Sequence, residues 1–314
     1  MYFDSSILTA LGLDPARATP GPQEVYLGLF AGVYRAGMTL GGKTVLVLGE
    51  GENASVAEQL VKDLGAKEVV RRTRTPGGGF PAGEEDARVE YLIYADEPAH
   101  DDDHLPLSLD AFPHLEGVVD MTVRPLRTRL LLAAEERDLL SMGGLFPTVA
   151  AAVIRAAANA GATPSPGEMD RAYKTLLLAR ANLAVTGLRF DGAEPVAKVL
   201  SRLSGRPLVR VPNTPAGIAS LSAYEGKLLL LEEGIAEKEE ALYPAAQNSR
   251  IVFVAPPLDT LQENRDTLGE KYRRILPTYS SFCDRTFEYR GDPATTARAI
   301  YDSFLSDPYL RRNI

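Results

Sequence analysis

Twice along the chain a short strand-like run is followed at once by a glycine turn and a helical pattern. Thr44-Val-Leu-Val-Leu48 leads into Gly49-Glu50-Gly51-Glu52-Asn53-Ala54, and Asn182-Leu-Ala-Val185 leads into the segment from Gly187 to Gly192. A strand that is apolar along its length needs cover on both faces, which is the condition of a parallel sheet between helix layers. In the first half, Val56, Leu60, Val61 and Leu64 recur at helical spacing after the turn. Further strands are expected at 68–70, 91–94 and 117–121, with an amphipathic helix over 127–140 and a small-residue helix over 147–160. The second half repeats the architecture without repeating the sequence. Helices are expected at 168–180, 195–203 and 293–305, and strands at 182–185, 207–211, 227–231 and 250–254. The fold class is therefore α/β, with two tandem three-layer domains.

The 314 residues agree with that division, because one hydrophobic core stops growing at roughly 250–300 residues. Gly161-Ala-Thr-Pro-Ser-Pro-Gly167 has linker composition. The expected boundaries are an arm over 1–22, a first domain over 23–163, a linker over 164–168 and a second domain over 169–314. The net charge of −8 argues against a nucleic-acid or anionic-membrane surface. It is unevenly distributed: residues 1–167 carry 14 basic and 23 acidic side chains. A single cysteine, Cys283, excludes an internal disulfide and reads as a small buried hydrophobe. With no long apolar span and no signal peptide at the start, a cytoplasmic protein is expected.

The first turn reads G-x-G-x-x-A between a strand and a helix, the context that gives this motif meaning. Gly49 would make the turn, Gly51 would let a pyrophosphate approach, and Ala54 would let the helix pack closely. Glu52, Asn53 and Ala54 open the helix whose backbone N–H groups would hold the phosphates. Glu50 and Glu52 put like charge beside that place, so a remnant turn that keeps only its shape is the alternative. Arg71-Arg72-Thr73-Arg74 follows the second strand, where an acid would select NAD. Arginines suit a 2′-phosphate, and Arg72 and Thr73 are the candidate contacts, so NADP is the expected cofactor. An exposed basic loop is the alternative.

Residues 23–160 resemble the nucleotide-binding domain of the shikimate dehydrogenases. Leu40–Gly51 is similar to that family's entry strand and glycine turn, and Arg71-Arg72-Thr73 to its Asn-Arg-Thr loop, which binds the NADP 2′-phosphate. Val119–Leu131 and Leu139–Ala151 resemble two further family segments. The resemblance implies an NADP-binding Rossmann-like domain. The departures fall on chemistry. The family's substrate domain, which carries the catalytic Lys, precedes this one; only 22 residues precede Gln23, so that domain is expected to be absent. The family's shikimate-contacting Asp aligns with Val25, and its substrate-binding Gln with Val149. Its Asn-Ala-Thr-Pro segment lies near Tyr94–Pro98 and has lost its Asn and Thr. Buried hydroxyls of a polyhydroxy acid would be left unpaired at about 1–3 kcal/mol each.

In the second turn, Gly187 and Gly192 have P-loop separation, but Ala193 and Glu194 follow where Lys and Ser/Thr are needed. ATP is not expected to bind there. Residues 170–312 resemble shikimate kinase at Pro195–Leu208, Leu228–Gly234, Arg250–Pro257 and Leu276–Tyr279. This implies a P-loop-kinase-like domain lacking the P-loop Lys. Two glycines of the family's substrate loop are Glu232 and Glu233, and its acidic contacts correspond to Arg210–Asn213. The Arg of its Arg-x-Pro-x-Tyr segment falls on Ile275, and the lid between Pro257 and Lys271 is short. His100 and His104 flank three aspartates in a polar loop and read as a solvated surface run, so no metal site is expected. The run Glu232–Glu240 reads as an exposed helix face.

Both halves keep strand and turn motifs and lose residues at the reacting positions. The expected function is that of a pseudoenzyme derived from shikimate-pathway folds, acting in a regulatory or scaffold role. It would bind NADP, a pathway metabolite or a protein partner. The alternative is an NADP-dependent oxidoreductase with a changed substrate, with Tyr94, Asp96 or His100 as candidate proton donors. No catalytic residue is assigned.

Overall fold

The computed structural model describes residues 5–75, 79–96, 107–188, 192–257 and 267–306. The chain divides into two compact units, Met1–Leu176 and Leu177–Ile314. Each contains one five-stranded parallel sheet.

In the first unit β1 (Thr44–Leu48), β2 (Glu68–Arg72), β3 (Tyr91–Tyr94), β4 (Gly117–Asp120) and β5 (Leu140–Gly143) lie in the order β2-β1-β3-β4-β5. Every residue of β1 is buried. Successive side chains of a strand point to opposite faces, and β1 divides accordingly. Val45 and Val47 pack with Leu29, Ala57, Leu60 and Ile93 on one side. Leu46 and Leu48 pack with Leu92, Phe112, Val118 and Leu130 on the other. Two apolar layers require helices on both faces, and this makes the unit three-layered.

Its helices are α1 (Ser5–Ala10), α2 (Pro15–Ala18), α3 (Pro22–Arg35), α4 (Gly51–Asp63), α5 (Arg129–Glu136), α6 (Leu145–Asn159) and α7 (Pro166–Arg180). The arm read over 1–22 is docked: Leu8 and Ala18 form an apolar cluster with Ala152 of α6. Helix α5 is shorter than the sequence pattern suggests. Asp138 takes a left-handed backbone conformation, φ 54°, which stops the helix. Leu140–Gly143 then forms a fifth strand paired with β4, unforeseen in the sequence because Ser141 and Gly143 are poor strand formers.

The second unit holds β6 (Asn182–Thr186), α8 (Ala193–Ser204), β7 (Leu208–Val211), α9 (Pro215–Ser220), β8 (Leu228–Leu231), α10 (Glu239–Asn248), β9 (Ser249–Ala255), α11 (Thr267–Phe282), β10 (Arg285–Glu288) and α12 (Pro293–Ser306). The strand order is β10-β9-β6-β8-β7, all parallel, and β6, β8 and β9 are buried throughout. The acidic run Glu232–Glu240 is broken up. Gly234 is left-handed, a single 3-10 turn buries Ile235 and Ala236, and α10 begins at Glu239.

The division between units falls inside α7, downstream of the Pro-rich segment at 164–168. The first part of α7 is tied to the first unit by Arg35, which pairs with Asp170 at 2.7 Å, and by the edge-to-face contact of Phe146 with Tyr173. Its end belongs to the second unit, where Arg206 donates to the carbonyls of Leu178 and Ala181.

Helix α3 lies against α6 at a distance set by Gly28. A Cβ there would press into the Pro147 carbonyl and sit 2.9 Å from the Ala151 nitrogen. Backbone cannot retreat as a flexible side chain can. Gly28→Ala is expected to cost about 1–3 kcal/mol through overpacking, read as a lowered midpoint in thermal melts. An unchanged midpoint would show that the two helices separate freely.

Candidate functional site

In a doubly wound sheet, ligands meet the carboxyl ends of the strands where the chain reverses its direction of strand addition. In the first unit that place lies between β1 and β3. The turn Gly49-Glu50-Gly51 leaves β1 there, and Ala95-Asp96 leaves β3. Gly49 has φ 130°, and a Cβ on it would sit 2.7 Å from the Asp96 Cα. Its N–H donates to the Arg72 carbonyl at 2.9 Å, and the Ala95 N–H donates to the Leu48 carbonyl at 2.8 Å. These two backbone bonds join the three strand exits.

Helix α4 starts at Gly51 with Glu50 as its cap, and the Glu50 side chain makes no capping bond. Gly51 has φ 76° and open space around it. Glu50, Gly51 and Glu52 are exposed, Asn53 is half-buried, and Ala54 is buried against the core containing Val45 and Val47. Four N–H groups at a helix start lack intrahelical partners, and the helix dipole makes the region attractive to anions.

The arginine run after β2 spreads out. Arg71 lies across the first turns of α4, donating to Glu58 at 3.0 Å, to the Ser55 hydroxyl at 3.2 Å and to the Gly49 carbonyl at 3.4 Å. Arg72 is buried. It pairs with Glu85 at 2.7 Å and with Asp86, and it donates to the Pro81 carbonyl at 3.1 Å. Thr73 is exposed. Arg74 reaches from the β2 exit to the β3 exit. Its Nε donates to the Asp96 carboxylate, and its Nη2 donates to the Tyr94 hydroxyl at 2.6 Å. The Arg74 guanidinium sits over the Phe80 ring at 5.3 Å, and Phe80 meets Tyr94 edge-on at 6.1 Å. The other Asp96 oxygen, Oδ1, accepts from the Glu50 N–H at 3.3 Å. Burial pushes the Tyr94 phenol up to about 12, so it stays protonated at neutral pH.

Beside β3, the Asp120 carboxyl at the end of β4 is buried. Burial raises its pKa above the ordinary range, against the bonds it accepts from the Thr128 hydroxyl and the Thr122 N–H. Val25 packs with Val56 and Ala151, and Val149 is fully buried. Neither offers a polar group to a sugar-like acid. His100 and His104 lie outside the described residues. Among the described residues, no group of three His, Cys, Asp or Glu side chains could hold a metal ion, and no helix is long and apolar enough to cross a membrane.

In the second unit β6 lies between β8 and β9, so Thr186, Gly187 and Leu188 leave the sheet at its crevice. The stretch 189–191 lies outside the described residues. Gly192 caps α8 under the ring of Tyr289. Ala193 is buried, and the Glu194 side chain accepts from Lys198 at 2.8 Å and from Arg210. Lys198 first, then Arg210, holds the Glu194 carboxyl below its usual range. After β7, the Asn213 N–H donates to the Glu232 carboxylate at 2.9 Å, and the Asn213 amide donates to the Glu233 carbonyl at 2.8 Å. The Gly234 N–H donates to the Tyr279 hydroxyl at 3.1 Å. Ile275 and Cys283 are buried, while Arg273 and Arg274 are exposed.

No protein-family model and no curated protein matches the chain. Solved structures do. Shikimate dehydrogenase 1 from Peptoclostridium difficile is 17% identical, with 48% of this chain and 61% of that one covered and a TM-score of 0.41. Shikimate 5-dehydrogenase from Thermus thermophilus, solved with NADP(H) and shikimate, is 24% identical, with 48% and 61% covered and a TM-score of 0.41. Shikimate kinase from Aquifex aeolicus is 18% identical, with 40% and 97% covered and a TM-score of 0.35. The chain thus spans about six-tenths of the length of those dehydrogenases. The α/β assignment stands on the strand orders and layers described above.

The sequence offers Asp96 as a candidate proton donor and Arg74 as part of a basic loop; what it hides is that the two pair. Arg74 stands in its loop in plain view, but its partner is 22 positions away, in the segment that leaves β3. For Arg72 the acid pair defines a test. The Arg72 guanidinium first, and the backbone N–H of Glu85 second, hold the Glu85 carboxyl below the usual range. A carboxyl lowered on folding contributes stability above its unfolded value and loses it as pH falls through the folded one. Arg72→Ala is expected to cost about 3 kcal/mol at neutral pH by leaving Asp86 buried without its cation. It should also flatten the loss of stability below about pH 4.5. Urea titrations from pH 7 to pH 3 measure both; parallel curves for the two proteins would refute the pairing.

Proposed function

We propose that the chain is a non-catalytic binding protein built on enzyme-like folds, whose first unit takes a dinucleotide, NADP first, at the crevice between β1 and β3. The observation that carries this reading is the seating of the Gly49–Gly51 turn at that crevice. A 13-residue helix starts there with no side-chain cap, and Arg71 and Arg74 stand on either side. Backbone N–H groups and a helix start suit a pyrophosphate, and guanidinium groups suit a ribose phosphate. The resemblance of Arg71-Arg72-Thr73 to an NADP-reading loop points the same way, with Arg71 the more accessible of the two arginines.

The polar groups around the turn support binding rather than turnover. The Tyr94 hydroxyl and the Asp96 carboxylate, two of the candidate proton donors, are both engaged by Arg74 within the chain. The positions that would hold a polyhydroxy acid are the buried Val25 and Val149. In the second unit Ala193 and Glu194 stand where a phosphate-binding Lys and a metal-binding hydroxyl would be needed, and Tyr289 covers the helix start. A role in regulation or as a scaffold for a partner enzyme is consistent with both units.

A thermal-shift panel with NADP, NAD, ATP, shikimate and dehydroshikimate, followed by NADPH fluorescence titration, tests this. NADP is expected to raise the melting temperature more than NAD does, and ATP is expected to leave it unchanged. Reduction of dehydroshikimate by NADPH, or phosphorylation of shikimate by ATP, at ordinary enzymatic rates would overturn the proposal.

A further inference from the structure

Strands β2 and β3 flank β1, so a side chain running from the β2 exit to the β3 exit spans the edge of the sheet at which β1 ends. Arg74 does so, and it ends on Asp96. The same Asp96 carboxylate turns its other oxygen to the Glu50 N–H, the backbone donor in the middle of Gly49-Glu50-Gly51. Its side chain is 11% exposed and that of Arg74 is 23% exposed, and the guanidinium is also held by the Tyr94 hydroxyl and the Phe80 face. Close approach of Gly49 to the Asp96 backbone fixes that residue's main chain beside the turn, so the carboxylate leaves the Glu50 N–H by rotation of its side chain alone. A negative group, its counter-ion and a backbone donor are thus joined across the crevice.

We propose that this contact is autoinhibitory: Asp96, locked by Arg74, occupies the anion position of the first turn, and a nucleotide phosphate enters only in exchange for it. The inference rests on the dinucleotide reading of the crevice. Exchange would release Arg74 from Asp96 and offer its guanidinium to the incoming phosphate, so the residue that closes the crevice becomes a contact once it opens. An unexchanged carboxylate would face the phosphate at hydrogen-bonding range, and like charges so placed weaken binding strongly.

NADPH fluorescence titration of the full-length wild type, Asp96→Ala and Asp96→Asn tests this, with inorganic pyrophosphate as competitor. Asp96→Ala is expected to bind NADPH at least about tenfold more tightly than the wild type. Asp96→Asn removes the charge while keeping an oxygen for the Glu50 N–H; it is expected to fall between the two, and it carries the test if Asp96→Ala does not fold. Pyrophosphate, which meets the same carboxylate, should itself bind the variants more tightly, read as a lower inhibition constant. Equal affinity in all three proteins would overturn the autoinhibitory contact and leave the dinucleotide reading standing. No binding by any of them at millimolar NADPH would overturn both.

Discussion

The approach of Gly49 to the backbone at Ala95-Asp96 sets the arrangement of the first unit. A parallel sheet delivers all its strand ends to one edge, and β1 and β3 leave that edge side by side. With no Cβ between them, the two exits touch through main chain. Everything nearby inherits this spacing. The Glu50 N–H comes within reach of Asp96, Asp96 comes within reach of Arg74, and Arg74 is drawn over Phe80. A larger residue at position 49 would push the exits apart and dissolve that chain of contacts.

The second unit treats its own crevice in a related manner with different residues. Glu232 turns its carboxylate to the Asn213 N–H, and Glu194 gathers Lys198 and Arg210. In both units, carboxylates of the chain take up donors at the strand ends. These bonds lie at the exposed edge of each sheet, where each contributes little to stability, and an internal acid makes them without a bound molecule.

The α/β layering was legible because its signal is local. Thr44–Leu48 and Asn182–Val185 carry their burial in their own side chains, and the glycines that follow announce the turns. Strand β5 was illegible because its place depends on pairing with β4 and on the left-handed Asp138, neither of which marks the local pattern. Gly49, Gly51 and Ala54 were legible for the same reason as the strands. The fates of Arg71, Arg72 and Arg74 were not. Their partners, Glu58, Glu85 with Asp86, and Asp96, come from three different segments, and only the folded sheet brings them near.

That dispersal changes how the arginine run behaves as a source of electric field. Read along the chain, Arg71-Arg72-Thr73-Arg74 is a compact block of positive charge. In the folded unit, β2 sends Arg71 toward α4 and Arg72 toward the loop at 81–86, and each cation meets an acid within a few ångströms. Closely paired charges act as dipoles, whose potential dies away much faster with distance than that of a lone cation. An approaching polyanion would therefore feel little pull until it reached the edge of the sheet. What remains at a distance is the net charge of residues 1–167, −9 from 14 basic and 23 acidic side chains, which repels an anion, so association at such a crevice would become faster as ionic strength rises.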